Sequence, residues 1–487
     1  MLLVPANCSC RSDIKFSKDV QVILAGYNVD SEVLADLTQG KTRPDVTPET
    51  ISAAYARISR DPRPVTELRK IARQEVEKAR KSNSTIVYKM GHHSIAEHAV
   101  FNFDILDVSR LALEEIEKFR LCSYTEKSQR YQKLEDDYVL PQELETTKYK
   151  DRFIETIKEQ NDYYHALLNK GVEPEDARYV TSMAARGQLG MTINARNLEL
   201  LIRRFASSQL AEVRLLGQKI YEQAVRIAPS LILFTAANDF DQKTYPELKG
   251  MLKGKWERKR KVSQACELVD YSEKADLKLA AALLHSSSGI SFLNCRRIVR
   301  DMKRKEREGL VKKAFQYMEF YDSTLREFEH LYLTYDLVLS SACFAQMKRH
   351  RMATITSQTY DPALGVTIPP KIRQAGEDKN FAQLMKISES LFMELMAEHP
   401  LAAQYVLTGA HRKRILLTTN VRELYHISRL REDAHAQWDI AQLTAKMTKI
   451  AGQVMPLSML LIGGKDSYPE KYQKVFGRAP KMAPPKE

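Results

Sequence analysis

Apolar residues spaced at helix periodicity dominate the chain. From Val213 to Ile232 and from Ile440 to Leu461 they recur every three to four residues, which predicts two long amphipathic helices. Short β-favouring runs, Val20 to Leu24 and Glu267 to Asp270, predict one strand near the start of each half. The pattern therefore predicts an α+β fold that is rich in helices, with a small mixed or antiparallel sheet in each half.

The chain also repeats itself. Motifs of the first half recur in the same order in the second, and their separation changes only from 232 residues for Glu97 and Glu329 to 226 residues for Asn194 and Asn420. Chance matches do not keep order and spacing over such a length, so the sequence indicates a tandem duplication into a first and a second copy. The matching segments are Glu97-His98 with Glu329-His330, Lys118-Phe119-Arg120 with Arg349-His350-Arg351, and Asn194-Ala195-Arg196 with Asn420-Val421-Arg422.

A basic run that contains glycines separates the two copies. It extends from Leu248 to Lys261 and has the composition of a surface connector, with a nucleic-acid patch as the alternative interpretation. A chain of 487 residues is also longer than the roughly 250–300 residues at which single cores stop growing. We therefore predict two domains, residues 1–250 and 251–475, and a disordered tail, 476–487, in which prolines stand among lysines.

Composition and charge narrow the class of protein. With 44% hydrophobic and 28% charged residues, the chain is predicted to form packed cores. Its formal net charge of +13 favours anionic partners, which include nucleic acid, an acidic membrane surface and phosphorylated ligands. The first ten residues lack a signal-peptide pattern, and no window offers about 18 uninterrupted apolar residues. We expect a soluble, cytoplasmic protein that does not contact membranes.

Six scattered cysteines suit a reduced compartment, since none belongs to a paired C-x-x-C set of the kind that holds zinc. Cys8 and Cys10 are close enough in sequence to bind a metal or to form a strained bridge. The alternative is an ordinary flexible terminus.

Two imidazoles and a carboxylate lie close together in the first copy, in Gly91-His-His-Ser-Ile-Ala-Glu97-His98. Such groups are candidate metal ligands or acid–base groups, and the alternative is a capped or buried histidine. The spacing matches neither H-E-x-x-H nor H-x-x-E-H, so we expect no metal site here.

A cluster of cations and hydroxyls follows. The segment Lys118 to Tyr131 holds Arg120, Arg130 and Ser128 within fourteen residues. Arginine offers a planar fork of donors to phosphate oxygens, and a serine hydroxyl adds another donor, so the loop suits a phosphorylated ligand. Without further context, a mixed-charge helical surface is the alternative.

The second copy carries a different set of polar residues. Gln346-Met-Lys-Arg349-His350-Arg351 is followed by a segment in which Arg422 pairs with His426, and Arg431 with His435, at a spacing of four residues. A helix would present each pair on one face. An amphipathic core helix anchored by Trp438 is compatible with the same pattern.

These motifs resemble those of the flavin-dependent thymidylate synthase family. The first copy keeps G-H-x-S-x-x-E-H and E-x-S-x-R-Y, and Arg178 matches a further phosphate-contacting arginine, whereas Lys118, Phe119 and Thr125 replace the Arg, His and Asn of the family signature. The second copy keeps Q-x-x-R-H-R, N-x-R and L-R-x-x-x-H-A-Q-W. It lacks G-H-x-S, and its loop carries Ser357, Thr359 and Asp361 where the family has Glu, Ser and Arg.

The resemblance implies an assembly. In that family, sites lie between subunits of a homotetramer, and each of the two motif sets comes from a different subunit. Because each copy here keeps one set, the resemblance implies one working site per chain and one inactive site built from Glu115, Lys118 and Phe119 against Thr359 and Asp361. It also implies a homodimer with four similar domains. Whether the working site forms within a chain or across a dimer stays open.

The resemblance further implies reductive methylation of dUMP to dTMP, with methylenetetrahydrofolate as carbon donor, FAD as cofactor and NADPH as reductant. It assigns no protein nucleophile. These anionic ligands account for the net positive charge, so nucleic acid is not required. The alternatives are a diverged enzyme acting on another pyrimidine nucleotide or on RNA uridine, which the basic run near Arg258 would favour, and a non-catalytic scaffold. The residues implied to bind dUMP are Ser128, Arg130, Arg178, Gln346 and Arg431, and those implied to line FAD are His92, Ser94, Glu97, Glu126, Arg349, His350, Arg351, Asn420, Arg422 and His426.

Overall fold

The computed structural model describes residues 14–16, 19–41, 46–134, 137–252 and 265–483. Cys8, Cys10 and the part of the basic run from residue 253 onward lie outside the described residues. Within the described ranges, no helix is both long and apolar enough to cross a lipid bilayer.

The chain separates into two compact units. The first unit comprises residues up to 260 together with Ile368–Gly409, and the second comprises 261–367 together with 410–487. The first unit therefore includes a segment that belongs, by sequence, to the second copy.

Helices and strands follow a similar order in the two copies, although the first and fifth strands of the first copy have no counterpart in the second. The first copy contains β1 (Ile14–Phe16), β2 (Gln21–Tyr27), α1 (Ser31–Thr38), α2 (Pro48–Arg57), α3 (Val65–Gln74), α4 (Val76–Ser84), β3 (Val100–Ser109), α5 (Arg110–Ile116), β4 (Cys122–Glu126), β5 (Tyr138–Leu140), α6 (Lys150–Asn169), α7 (Pro174–Ala177), β6 (Arg186–Asn194), α8 (Ala195–Ala206), α9 (Ala211–Val225) and α10 (Asp239–Leu252). The second copy contains β7 (Cys266–Tyr271), α11 (Ala275–Ser286), α12 (Phe292–Asp301), α13 (Arg304–Phe315), β8 (Tyr332–Ser340), α14 (Ser341–Met347), β9 (Thr354–Ser357), α15 (Pro370–Gln374), α16 (Asp378–Glu398), α17 (Pro400–Val406), β10 (Arg412–Asn420), α18 (Val421–Arg431), α19 (Trp438–Val454) and α20 (Tyr468–Phe476).

Each unit is built on a four-stranded antiparallel sheet. The strand orders, β2-β3-β6-β4 and β7-β8-β10-β9, are the same once equivalent strands are matched. This arrangement confirms the predicted α+β fold and the duplication. A further short parallel pair joins β1 to β5.

The sequence fixes the strand-to-helix turns through capping side chains. The Asn194 side chain accepts a hydrogen bond from the Asn197 amide at 3.0 Å, and Asn420 accepts one from the Glu423 amide at 2.8 Å. Each side chain satisfies a helix N–H group that would otherwise lack a partner. The turns that lead into α8 and α18 therefore have the same geometry.

Apolar side chains on one face of each sheet form the cores. Phe101 and Phe103 on β3 are fully buried, as are Leu333 and Tyr335 at the matching positions of β8. Helices α8 and α9 cover the first sheet, and α18 and α19 cover the second. Buried and exposed residues alternate along the first part of β3, which reflects the two-residue period of a strand, whereas β8 is buried along most of its length.

Three boundaries differ from the sequence prediction. Helices α9 and α19 end at Val225 and Val454, seven residues short of the predicted ends, because Pro229 and Pro456 follow closely and a proline cannot continue a helix. Residues 248–252 of the predicted connector form the last turn of α10.

The start of the predicted disordered tail is held on the second unit. The Arg478 guanidinium pairs with Glu319 at 2.9 Å, and the Phe320 amide donates to the Lys481 carbonyl at 3.1 Å. These two contacts attach residues 477–483 to the second unit, whereas their composition predicts disorder. Residues 484–487 lie outside the described residues.

Within the first unit, some residues of the first copy contact their own equivalents in the second copy. Ser182 forms an antiparallel bridge with Thr408, and the Gln160 amide on α6 donates to the Ser388 hydroxyl on α16 at 2.8 Å. These residues are separated by 226 and 228 positions, close to the repeat distance. Such self-matching contacts are typical of isologous interfaces.

Candidate functional site

The first unit contains a polar cavity at the edge strand β4. It has a volume of about 80 Å³, and Arg110, Glu126 and Ser128 are among its lining residues. The Ser128 hydroxyl accepts a hydrogen bond from the Arg130 amide at 3.2 Å, so the loop after β4 turns back on itself. The structure thus places Glu126, which the resemblance assigned to the flavin, beside the residues assigned to the nucleotide.

Arg110, which the sequence interpretation did not select, pairs with Glu126. Both side chains are buried, with 8% and 4% of their surfaces exposed. The second copy has Ser341 and Ser357 at the equivalent positions. Both partners of the ion pair are thus replaced together in the second copy. A comparison of the two copies could have detected this paired replacement in the sequence.

Arg178 is a second buried cation of this region. Its Nε donates to the Glu175 carbonyl at 3.1 Å, and its Nη2 has no hydrogen-bond partner among the residues that the structure describes. Burial lowers the pKa of the Arg178 guanidinium, and the nearby cations Arg110 and Arg130 act in the same direction. A buried donor without a partner is costly unless a ligand supplies the acceptor.

The sequence-predicted cations of the first copy therefore converge. Arg130 forms an ion pair with Glu175 at 2.6 Å, and the Glu175 carbonyl accepts from Arg178. Three arginines gathered at one place suit a multiply charged anion such as a phosphate group. Gly409 packs against this point, because a Cβ there would lie 2.7 Å from the Arg178 carbonyl oxygen.

The second unit gathers another set of predicted residues around Arg431. Its Nε donates to the Nε2 atom of His350 at 3.0 Å, and its Nη2 donates to the Gln346 carbonyl at 3.1 Å. The Gln346 amide in turn lies 3.4 Å from the Gln437 side-chain oxygen. The guanidinium plane of Arg431 is therefore oriented before any ligand binds.

The hydrogen bond that the buried His350 ring accepts from Arg431 requires a neutral imidazole. Burial lowers its pKa, although Glu423 lies 3.6 Å from its Nδ1 atom and opposes that effect. A neutral ring can accept the hydrogen bond from Arg431 at Nε2 while its proton lies on Nδ1, toward Glu423. The His426 ring contacts His350 edge to face at 5.9 Å.

This neutral state gives a pH prediction. Because the folded-state pKa of His350 lies below its unfolded value of about 6.5, its stabilising effect is complete above pH 6.5 and declines as the pH falls toward the folded pKa. We expect His350→Gln, which cannot titrate, to show a smaller loss of unfolding free energy between pH 7.5 and 5.5 in urea unfolding. Equal losses in the two proteins would contradict this assignment.

The first copy replaces the His–Arg pair by two phenylalanines. With the capping residues Asn194 and Asn420 aligned, Phe205 occupies the position of Arg431. With the capping residues Ser109 and Ser340 aligned, Phe119 occupies the position of His350. The two rings contact each other edge to face at 5.8 Å. Apolar packing therefore takes the place of the oriented cation in this copy.

The N-x-R arginines make the same ion pair in both units. Arg196 pairs with Glu97, and Arg422 pairs with Glu329 at 2.8 Å. Arg422 also donates to the Thr324 carbonyl at 2.9 Å. Asn420, predicted to line a cofactor, is the helix cap of α18 in this structure.

Two cavities adjoin the residues predicted to face a flavin. In the first unit, His92 and Ser94 line a largely apolar cavity of about 700 Å³ that includes Tyr55 and Ile86. In the second, Arg422, His426 and Phe320 line a cavity of about 410 Å³. Apolar walls with a few polar groups suit a flat aromatic ligand.

Some predicted residues are not brought into these cavities. Arg349 and Arg351 follow α14 and are exposed, and neither lines the cavity of the second unit. Within the described ranges, no group of three or more His, Cys, Asp or Glu side chains is arranged to hold a metal ion.

A family model described as "Thymidylate synthase complementing protein" matches residues 44–230 and 267–457. The two matched regions coincide with the two copies. Together they cover more than half of the chain.

Individual relatives match over different extents. A flavin-dependent thymidylate synthase of Saccharolobus solfataricus is 33% identical over 151 residues, which are 30% of this chain and 58% of that relative. The match therefore spans less than two thirds of that protein. A UPF0159 protein of Chlamydia muridarum is 24% identical over 423 residues, 78% of this chain and 80% of that protein.

A UMP/dUMP methylase, PolB, from Streptomyces cacaoi has a solved structure that matches at 16% identity and a TM-score of 0.35. The match covers 45% of this chain and 95% of that chain.

Proposed function

Since this chain belongs to the thymidylate synthase complementing protein family, we propose that it is a flavin-dependent thymidylate synthase that converts dUMP to dTMP. The proposal includes methylenetetrahydrofolate as carbon donor and NADPH as reductant. The observation that carries it is the complementary division of the motifs. The first copy keeps an arginine cluster around Arg178, and the second copy keeps the oriented Arg431.

The nucleotide-binding residues come from both copies in this proposal. Arg130 and Arg178 supply charged donors for the phosphate, and Ser128 supplies a hydroxyl. Arg431 adds a guanidinium whose plane His350 and the Gln346 carbonyl already fix, so little rotamer freedom is lost on binding. The two sets act in one site, which forms either within a chain or across a homodimer.

The second copy's own loop is unsuited to a phosphate. Asp361 stands where the first copy has Arg130, and its carboxylate accepts a hydrogen bond from the Ala363 amide at 2.9 Å. A carboxylate at this position repels a phosphate. In the first copy, Phe119 and Phe205 stand where the second copy has the pair of His350 and Arg431. The remaining set of motifs therefore forms an inactive site in this proposal.

Several residues fit a bound FAD. The apolar cavity beside His92 and Ser94 and the aromatic cavity beside Arg422 and His426 suit a flavin ring and its polar edge. When bound, FAD supplies transfer of the carbon unit and the hydride. The protein's residues hold and orient the ligands, and none is assigned as a nucleophile. The other members of the proposed flavin set are Glu97, Glu126, Arg349, His350, Arg351 and Asn420.

FAD content tests the proposal. We expect about one FAD per chain, measured by absorbance after denaturation, because each copy keeps half of the motifs. We expect Arg422→Ala to reduce the FAD content strongly. Arg203→Ala is the control, because it removes an ion-paired arginine from α8, the equivalent helix of the other copy, outside the proposed flavin set, and should leave the content unchanged.

Two outcomes would overturn parts of this proposal. Protein that binds no FAD would support a non-catalytic scaffold. Two FAD per chain would show that the second set of motifs is active and would reject the complementary division. A change in the flavin spectrum on adding dUMP would identify the free nucleotide, and not an RNA uridine, as the ligand.

A further inference from the structure

Helices α12 and α13 of the second unit carry a high density of positive charge. Between Phe292 and Lys313 nine residues are Lys or Arg and three are Asp or Glu. We call the outward side of these two helices the basic hairpin. Its cations are Arg296, Arg297, Arg300, Lys303, Arg304, Lys305, Arg307, Lys312 and Lys313.

The basic hairpin is solvent-exposed because the apolar sides of both helices face the core. Cys295 and Val299 of α12 are buried, as are Val311 and Phe315 of α13. Of the nine cations, Arg307 is partly buried and the other eight are exposed. The positive charge therefore lies on the solvent-facing side of two helices whose apolar sides are packed in the core.

The first copy provides an internal comparison. There α3 and α4 take the place of α12 and α13, but four of their six cations form ion pairs, and Arg73 is buried in its ion pair with Asp30. In α12 and α13, which are described in full, the one ion pair is Arg304 with Glu308 at 2.9 Å. The ion pairs of α3 and α4 are Arg69–Asp30, Arg69–Glu32, Arg73–Asp30, Arg73–Glu32, Lys78–Glu75, Arg80–Glu49 and Arg80–Glu77.

We propose that the basic hairpin binds the phosphodiester backbone of duplex nucleic acid without reading its sequence. A helix of ten residues spans about 15 Å, and a duplex carries about nine phosphate charges over that length. Five of the nine cations are arginines, whose planar donor forks match phosphate oxygens. This binding is independent of the proposed synthase activity.

A membrane surface fits less well. Helices that lie in a lipid interface need a broad apolar face to insert. Here the apolar faces are used in the core, and the exposed large apolar side chains of α12 are Phe292, Leu293 and Ile298, which are too few to form a broad apolar face. The outward surface is otherwise dominated by cations.

The test is fluorescence anisotropy of the full chain with labelled 20-base-pair DNA and RNA duplexes of random sequence, between about 50 and 200 mM salt. We expect binding that weakens steeply with salt. The triple variant Arg297→Ala, Arg300→Ala and Lys313→Ala should bind about ten-fold more weakly, with a shallower salt dependence. Its FAD content and thermal unfolding, measured in parallel, should be unchanged.

A matched control removes the same charge elsewhere. Lys158, Lys379 and Lys386 are exposed lysines of α6 and α16, and their joint replacement by alanine should leave duplex binding unchanged. If duplex binding were weakened equally in the two triple variants, the effect would come from net charge alone, and the proposal would be overturned. An absence of duplex binding at about 50 mM salt, or binding only to phosphatidylserine vesicles, would also overturn it.

Discussion

Arg130→Ala and Arg431→Ala are each expected to weaken dUMP binding roughly 10- to 150-fold, although the two residues lie in different copies. A charge-assisted hydrogen bond to a phosphate contributes about 1.5–3 kcal/mol, which corresponds to that range. Both cations are oriented in the structure, Arg130 by Glu175 and Arg431 by His350. Calorimetric titration with dUMP measures the change.

Asp361→Ala is the matched control, since Asp361 occupies the position of Arg130 in the other copy. It should leave dUMP affinity nearly unchanged. Mixing the two inactive arginine variants then locates the site: activity returns partly if the site forms across a dimer and not at all if it forms within a chain. An Asp361→Ala variant as defective as Arg130→Ala would show that the second loop binds the ligand.

Arg110→Ser is expected to lower the free energy of unfolding by about 3–5 kcal/mol. Removing one partner of a buried ion pair leaves the other charge without compensation, and both Arg110 and Glu126 are buried. The double variant Arg110→Ser and Glu126→Ser should recover most of this loss, because the second copy folds with Ser341 and Ser357 at the same positions. Urea unfolding followed by circular dichroism measures both effects.

The double variant separates two explanations. Recovery of stability without recovery of dUMP binding would show that the pair serves the site and is not needed for folding. If the double variant were less stable than Arg110→Ser, the loss would come from cavity formation and not from an unpaired carboxylate.

The sequence predicted the features that depend on local patterns. The α+β fold, the duplication and the strands near Val20 and Glu267 follow from periodicity and repeated motifs, and the structure confirms them. The exact extents of α9 and α19 were missed, because the helical periodicity continues past the prolines that end them.

Features that depend on distant contacts could not be read from the sequence. Nothing local indicates that Ile368–Gly409 packs in the first unit, because this depends on hydrogen bonds such as that between Gln160 and Ser388. The equivalence of Phe205 and Arg431 becomes clear only once the capping asparagines are aligned. The functional roles of the site residues and the domain limits remain predictions.

The self-matching contacts between Ser182 and Thr408 and between Gln160 and Ser388 have a consequence for how such a protein can diverge. Two separate identical chains must first associate to make such contacts. Because the chains are identical, any substitution then appears on both sides of the interface. On one polypeptide the partner is always present at a high effective concentration, so the contact no longer depends on the amount of protein. Each side can also accept its own substitutions, as the proposed division between an anion-binding copy and a copy that orients Arg431 requires.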